Sequence, residues 1–167
     1  MKNPEPWLRG TLTDVHFVQR GVLHALEQAR EDVARWCEGL TTQDMFARPA
    51  ELPSIAFHLR HIAGSLDRLL TYAEGRSLSS VQFETLDRES AEGKSREELM
   101  SNFYAGLSHA EARIRGFDPT KLEEARFAGR QYLPTTVGGL LIHCAEHTLR
   151  HVGEIITTVK VVRAMRR

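Results

Sequence analysis

Towards the C-terminal end of the chain, His143, Cys144, His147, His151 and Glu154 recur at helical spacing. All five are residue types that ligate metals or carry protons. At 100° per residue, with His143 at zero, Glu154 falls at about 20°, His147 at about 40°, His151 at about 80° and Cys144 at about 100°. One helical face therefore carries three imidazoles, a thiol and a carboxylate. The i, i+4 spacing of His147 and His151 lets one divalent ion meet a nitrogen of each at about 2.0–2.1 Å. A lone histidine on a helix is more often a hydrogen-bonded structural residue than a ligand. Here Leu140 and Leu141 precede the group, and Ile155, Ile156, Val159 and Val162 follow it. Imidazoles clustered on a stripe buried in this way are unfavourable unless something pairs with them, and a metal ion supplies that pairing.

A second pair, His58 and His61, lies in Phe57-His58-Leu59-Arg60-His61-Ile62. Helical periodicity sets His58 near the apolar stripe and His61 towards its edge, beside Ser65 and Tyr72. Periodicity alone thus favours His58 as the buried one, and either also reads as a core-edge histidine bonded to a carbonyl. His16, His24 and His109 have no comparable company and read as structural.

Four amphipathic segments must position these groups. The first runs from Thr11 or Thr13 to Glu38, with Val15, Val18, Val22, Ala25, Ala29, Val33 and Trp36 on one stripe. The second runs from Ser54 to Glu74 and is stopped by Gly75. The third opens at the capping pattern Ser95-Arg96-Glu97-Glu98 and ends at Gly116. The fourth follows Thr135-Thr136 and reaches about Arg163; Lys160, Arg163, Arg166 and Arg167 suit its negative end. The pieces between, Leu40–Pro53, Arg76–Lys94 and Asp118–Pro134, read as loops, and no strand alternation is evident. Four long helices in one domain over residues 1–167 predict an all-α four-helix bundle. The long loops are expected to cross over or to cover one end of it.

Composition narrows the function. A chain of 167 residues, 41% hydrophobic, supports one full core without staples. Lys+Arg and Asp+Glu are both 22, so no global basic character points to nucleic acid. Cys37 and Cys144 form neither a Cys-x-x-Cys pair nor a disulfide framework, which suits a reducing compartment. No apolar run approaches the ~20 residues of a membrane span. The stretch from Met1 to Asp14, with Pro4, Glu5, Pro6 and Arg9, does not have a signal-peptide pattern. The expectation is a cytoplasmic protein with no membrane or nucleic-acid partner.

Leu52-Pro53-Ser54-Ile55-Ala56-Phe57-His58-Leu59-Arg60-His61-Ile62-Ala63-Gly64 resembles the second-helix motif of the DinB/YfiT-like superfamily. His143-Cys144-Ala145-Glu146-His147-Thr148-Leu149-Arg150-His151-Val152-Gly153-Glu154-Ile155 resembles its last-helix motif. The resemblance implies an up-down-down-up four-helix bundle, often dimeric, holding one divalent ion, zinc or nickel among others. The implied ligands are His61, before Ile-Ala-Gly, and the pair His147 and His151, before Gly-Glu-Ile. His58, His143 and Cys144 then surround the ligands. Where the family often has glutamine, this chain has Glu154; a carboxylate there can accept a hydrogen bond from a ligand histidine or approach the ion.

Three histidines and no fourth protein ligand leave a coordination position open, as catalytic sites do. The resemblance implies either transfer of a low-molecular-weight thiol onto an electrophile or hydrolysis. The expected protein is a metal-dependent enzyme activating a thiol or water, with Glu154 or Tyr132 assisting proton transfer. Its partners would be a small-molecule thiol or electrophile and a second copy of the chain. A metal-binding bundle for sensing or assembly is the alternative, and an open or a closed site distinguishes the two.

Overall fold

In the computed structural model, residues 4–166 are described; Met1 to Asn3, at the head of the N-terminal stretch, and Arg167, of the basic C-terminal group, lie outside them. Helices α1 (Phe17–Trp36), α3 (Ile55–Ala73), α5 (Arg96–Arg115) and α6 (Val137–Met165) form the bundle. Short helices α2 (Thr42–Phe46) and α4 (Ser80–Asp87) and a hairpin of β1 (Ala125–Ala128) with β2 (Leu133–Thr136) fill the connections.

The helix ends follow from local chemistry. Ser54, Ser95 and Thr136 cap α3, α5 and α6 by accepting from the backbone N–H groups of Phe57, Glu98 and Gly139, which satisfies donors a helix cannot satisfy itself. Glu98 completes the capping box at Ser95. Beyond the ends of α1 and α3, Gly39 and Gly75 take positive φ, 71° and 74°, a conformation that favours glycine.

Hydrogen bonds between helix ends establish the directions. Arg163 near the end of α6 donates to the Trp36 and Glu38 carbonyls at the end of α1, so these two helices run parallel. Thr158 of α6 donates to Pro53, just before α3, so α3 runs against α6. Arg113, late in α5, donates to Asp67, in the second half of α3, and to Glu74, just beyond its end, so α3 and α5 run together. Gln19 of α1 donates to the Ile114 and Phe117 carbonyls, which sets α1 against α5. The result is an up-down-down-up bundle. Its core contains fully buried Leu26, Ile62, Leu66, Phe103, Leu107 and Leu141. No helix among the described residues is long and apolar enough to cross a membrane.

The departures from the sequence reading have physical causes. Helix α1 starts at Phe17 rather than near Thr11 because Leu12 has φ 57° and sits in a turn closed by Val15 N–H on its carbonyl. His16 is the cap. The loop Leu40–Pro53 contains α2, held by a capping box of Thr41 and Asp44. The loop Arg76–Lys94 contains α4, held by one of Ser79 and Gln82. The third connection folds into the hairpin, pairing Ala125 with Thr136 and Ala128 with Leu133. Its strands of four residues are too short for alternation to register, and Pro134 interrupts the second.

Close packing of α3 on α5 depends on Gly106, where an added Cβ would stand 2.7 Å from the Ala63 Cβ. Gly21, in α1, would meet nothing within 4 Å. Gly21→Ala is therefore expected to raise stability by about 1 kcal/mol through helix propensity. Gly106→Ala is expected to lower it by about 1–3 kcal/mol through overpacking. Urea denaturation of the two variants checks the contrast; equal gains would show that α3 and α5 are not in close contact.

Candidate metal centre

Helices α3 and α6 face each other with His58 and His61 on one and His147, His151 and Glu154 on the other. His61 Nε2 lies 3.0 Å from His147 Nε2. The His151 ring centroid lies 4.5 Å from both the His61 and His147 centroids. A nitrogen from each of the three falls within 4.8 Å of the others. Ligands about 2.0–2.1 Å from a tetrahedral ion stand roughly 3.3 Å apart, so the His61–His147 separation is near that of a shared ion. Facing nitrogen lone pairs repel unless a proton or cation lies among them.

The outer nitrogens support this arrangement. His61 Nδ1 is 2.7 Å from Glu89 Oε2, and Glu89 is buried. His151 Nδ1 is 2.5 Å from Glu154 Oε2. Metal-ligating histidines commonly donate their second ring N–H to a carboxylate, which fixes the tautomer and aims the other nitrogen at the ion. His61 and His151 are both oriented in this way, and the residues fit a divalent ion. His147 Nδ1 is buried without a hydrogen-bond partner.

Glu89 carries no signal in the sequence reading, which took its segment as loop. It follows α4, which docks on α3 where Gln82 donates to Asp67 and Thr71. Arg60 donates to the Ala91 carbonyl and pins the chain beyond Glu89. The second carboxylate oxygen of Glu89 pairs with Arg68 at 2.9 Å. Burial pushes the Glu89 carboxyl up, but the His61 hydrogen bond and the Arg68 charge outweigh it and hold its pKa below the usual carboxylate range. Gly64 makes room: a Cβ there would stand 2.8 Å from both Arg68 Nη1 and Glu89 Oε1. The Ser79/Gln82 capping box was a legible sign of α4; which of the nearby acids, Glu84, Asp87, Glu89 or Glu92, would turn inward was not.

The other sequence candidates are placed as follows. His58, which periodicity favoured as the buried one, is 1% exposed. Its Nδ1 lies 3.1 Å from His151 Nδ1 and 3.4 Å from Glu154 Oε2, so it backs His151 on the side away from His61 and His147. Glu154 is brought to the cluster through these two rings. His143 is half-exposed and faces Glu146 at 3.5 Å, with its ring centroid 5.4 Å from that of His147. Cys144 is not on the polar face: it is fully buried in the hydrophobic core, where burial pushes its thiol up to about 12. Such a thiol is not a reactive neighbour. The helical wheel misplaced it because α6 packs against both α1 and α3, so apolar surroundings reach beyond one stripe. Tyr132 is 76% exposed in the hairpin turn, φ 49°, and lines the cleft next to the one that His143 and His147 line. It is not brought to the histidines.

Burial disfavours the charged form of His58, His147 and His151. It pushes His58 and His147 down to about 4, helped at His147 by His151 and opposed at His58 by Glu154. His151 is lowered by burial and by His61, against the pull of Glu154. Neutral imidazole is the ligating form. An unfolded histidine titrates near 6.5, so below that pH the unfolded chain takes up protons that the folded chain refuses. Stability of the metal-free protein is therefore expected to be full above about pH 6.5 and to fall progressively towards pH 4. Thermal melts of chelator-treated protein across this range check it; a flat midpoint would contradict the buried, neutral cluster.

Comparison with known proteins agrees with the fold. The crystal structure of the conserved protein of locus from Enterococcus faecalis superposes with a TM-score of 0.74 at 13% identity, covering 90% of this chain and 99% of that one. No curated protein sequence matches. The sequence pattern of the DinB superfamily matches residues 25–155, which include all three facing histidines. A match over that span, on a bundle that brings both motifs together, shows that the chain belongs to the DinB superfamily.

Proposed function

We propose that His61, His147 and His151 hold one divalent ion, zinc or nickel, and that the protein is a metal-dependent enzyme acting on a low-molecular-weight thiol or on water. The observation that supports this most is the pair of Nε2 atoms 3.0 Å apart, with the outer nitrogen of His61 held by buried Glu89. A divalent ion bound there supplies Lewis acidity, which lowers the pKa of a coordinated water or thiol towards neutrality. The chain's own groups do the rest. Glu89 and Glu154 keep the outer ring protons of His61 and His151 and hold both rings in place. Glu154 is also half-exposed, which suits a group exchanging protons with solvent. The proposal includes action in the cytoplasm, since both cysteines are free, and a homodimer, which light scattering tests.

Access separates the catalytic reading from a sensing or assembly role. A cleft of about 420 Å³ is lined by both His143 and His147, so one of the three facing histidines borders a surface cleft. That volume is in the range of small-molecule sites, and it favours turnover.

The protein is expected to bind one divalent ion per chain, and His147→Ala or His61→Ala to lose most of it. Elemental mass spectrometry reads this out. Undiminished metal in the triple variant His61→Ala, His147→Ala, His151→Ala would refute the assignment. His58→Ala is expected to lower stability while keeping the ion; a variant lacking His58 that cannot hold metal, beside one lacking His61 that can, would reverse the roles. Glu89→Gln, which keeps shape and removes charge, is expected to weaken metal affinity by about 10–100-fold. Competition with a chromogenic chelator measures it, and wild-type affinity would reduce Glu89 to a packing role.

A further inference from the structure

The cleft that reaches His147 is not alone. A second, of about 510 Å³, shares with it a wall formed by Tyr72, Leu78, Phe83, Gly129 and Arg130, and extends along the hairpin past Arg76 and Arg126. Each is large enough for a small molecule. The shared wall is apolar and aromatic, built where α4 and the hairpin turn fold over α3.

Its electrostatics are one-sided. The chain as a whole has equal numbers of acidic and basic residues, 22 of each, yet no aspartate or glutamate among the described residues lines either cleft. Four arginines line them. Three of them have acidic partners: Arg68 with Glu89, Arg76 with Glu74 and Arg126 with Glu124. Arg130 differs. Its guanidinium lies 5.8 Å from the centre of the Phe83 ring, and no ion pair to it is found among the described residues. An aromatic face attracts the cation without neutralising it. An uncompensated guanidinium above a low-dielectric wall attracts anions, and its planar fork matches a carboxylate or related oxyanion.

We propose that this cleft is the substrate site and that it takes a small anion with an apolar, preferably aromatic, body. The body lies on Tyr72 and Phe83, the anionic group meets Arg130, and the reactive end points towards His147. This names the substrate class for the metal-centre reading above and rests on it for the reaction, but not for the binding.

The probes are 2-naphthoate and its neutral isostere 2-naphthamide, titrated calorimetrically into the full chain after metal removal. 2-Naphthoate is expected to bind at one site per chain, on the order of 10–100-fold more tightly than the amide. Arg130→Ala, in an exposed turn, is expected to abolish that preference without moving the melting temperature. Phe83→Ala is expected to weaken both probes alike. Saturating 2-naphthoate should also protect His143 and His147 from carbethoxylation by diethylpyrocarbonate, read by peptide mass spectrometry. Equal binding of the two probes, a preference that survives Arg130→Ala, no binding of 2-naphthoate, or unprotected histidines would each overturn the proposal. Because the titration uses metal-free protein, failure of metal binding leaves this result standing, and failure here leaves the metal stoichiometry untouched.

Discussion

The constraint on which the site depends is that imidazoles must face one another between two packed helices of the bundle. Three of them, His61, His147 and His151, offer nitrogens to one point. Left to themselves they would protonate or turn away, because lone pairs at that range repel and charges in a core are expensive. Two features prevent this. Burial suppresses protonation at His147 and His151. Carboxylates on the outer nitrogens of His61 and His151 stop the rings from rotating. The apparatus makes chemical sense for receiving a cation and little sense as packing, since an apolar core would need none of it.

Small residues let the helices and their supports come together. Gly106 brings α5 against Ala63 of α3. One residue further along α3, Gly64 leaves the space in which Arg68 and Glu89 meet. The glycine that follows His61 by three positions in its motif thus has a physical reason. It lies about one helical turn from His61, where a side chain would displace the carboxylate bonded to that ring.

How legible all this was in the sequence varied with the physics. That His147 and His151 share a face was readable because helical periodicity carries their spacing, His61 was singled out only by the resemblance of its motif, and α3, α5 and α6 were readable because their caps and apolar stripes are local signals. Helix α4 buries none of its residues, so it has no stripe to read, and Glu89, just beyond its end, goes unseen with it. The hairpin strands, four residues each, are too short for an alternating pattern to stand out in the sequence. Cys144 was misplaced and Tyr132 overvalued for a common reason: which neighbours surround a side chain is a tertiary fact, and a wheel or a composition does not contain it. The preference between His58 and His61 shows the same limit. Periodicity correctly found His58 the more buried, but burial is not what faces His147; the turn of α3 towards α6 decides that.

The division between bundle and connections also bears on how such a protein acquires a particular role. The facing nitrogens come from α3 and α6, rigid elements packed along their length. The carboxylate on His61 comes from the chain after α4, and much of the cleft wall comes from α4 and the hairpin turn. A rigid scaffold supplies the precision that coordination needs, while connections tolerate change because few core contacts depend on them. On the proposed reading, changing Arg130 or Phe83 alters what the cleft accepts without moving the three facing histidines, whereas changing Glu89 acts on His61 itself. Segments that look like loops in the sequence thus build two separate features, the carboxylate on His61 and much of the cleft wall.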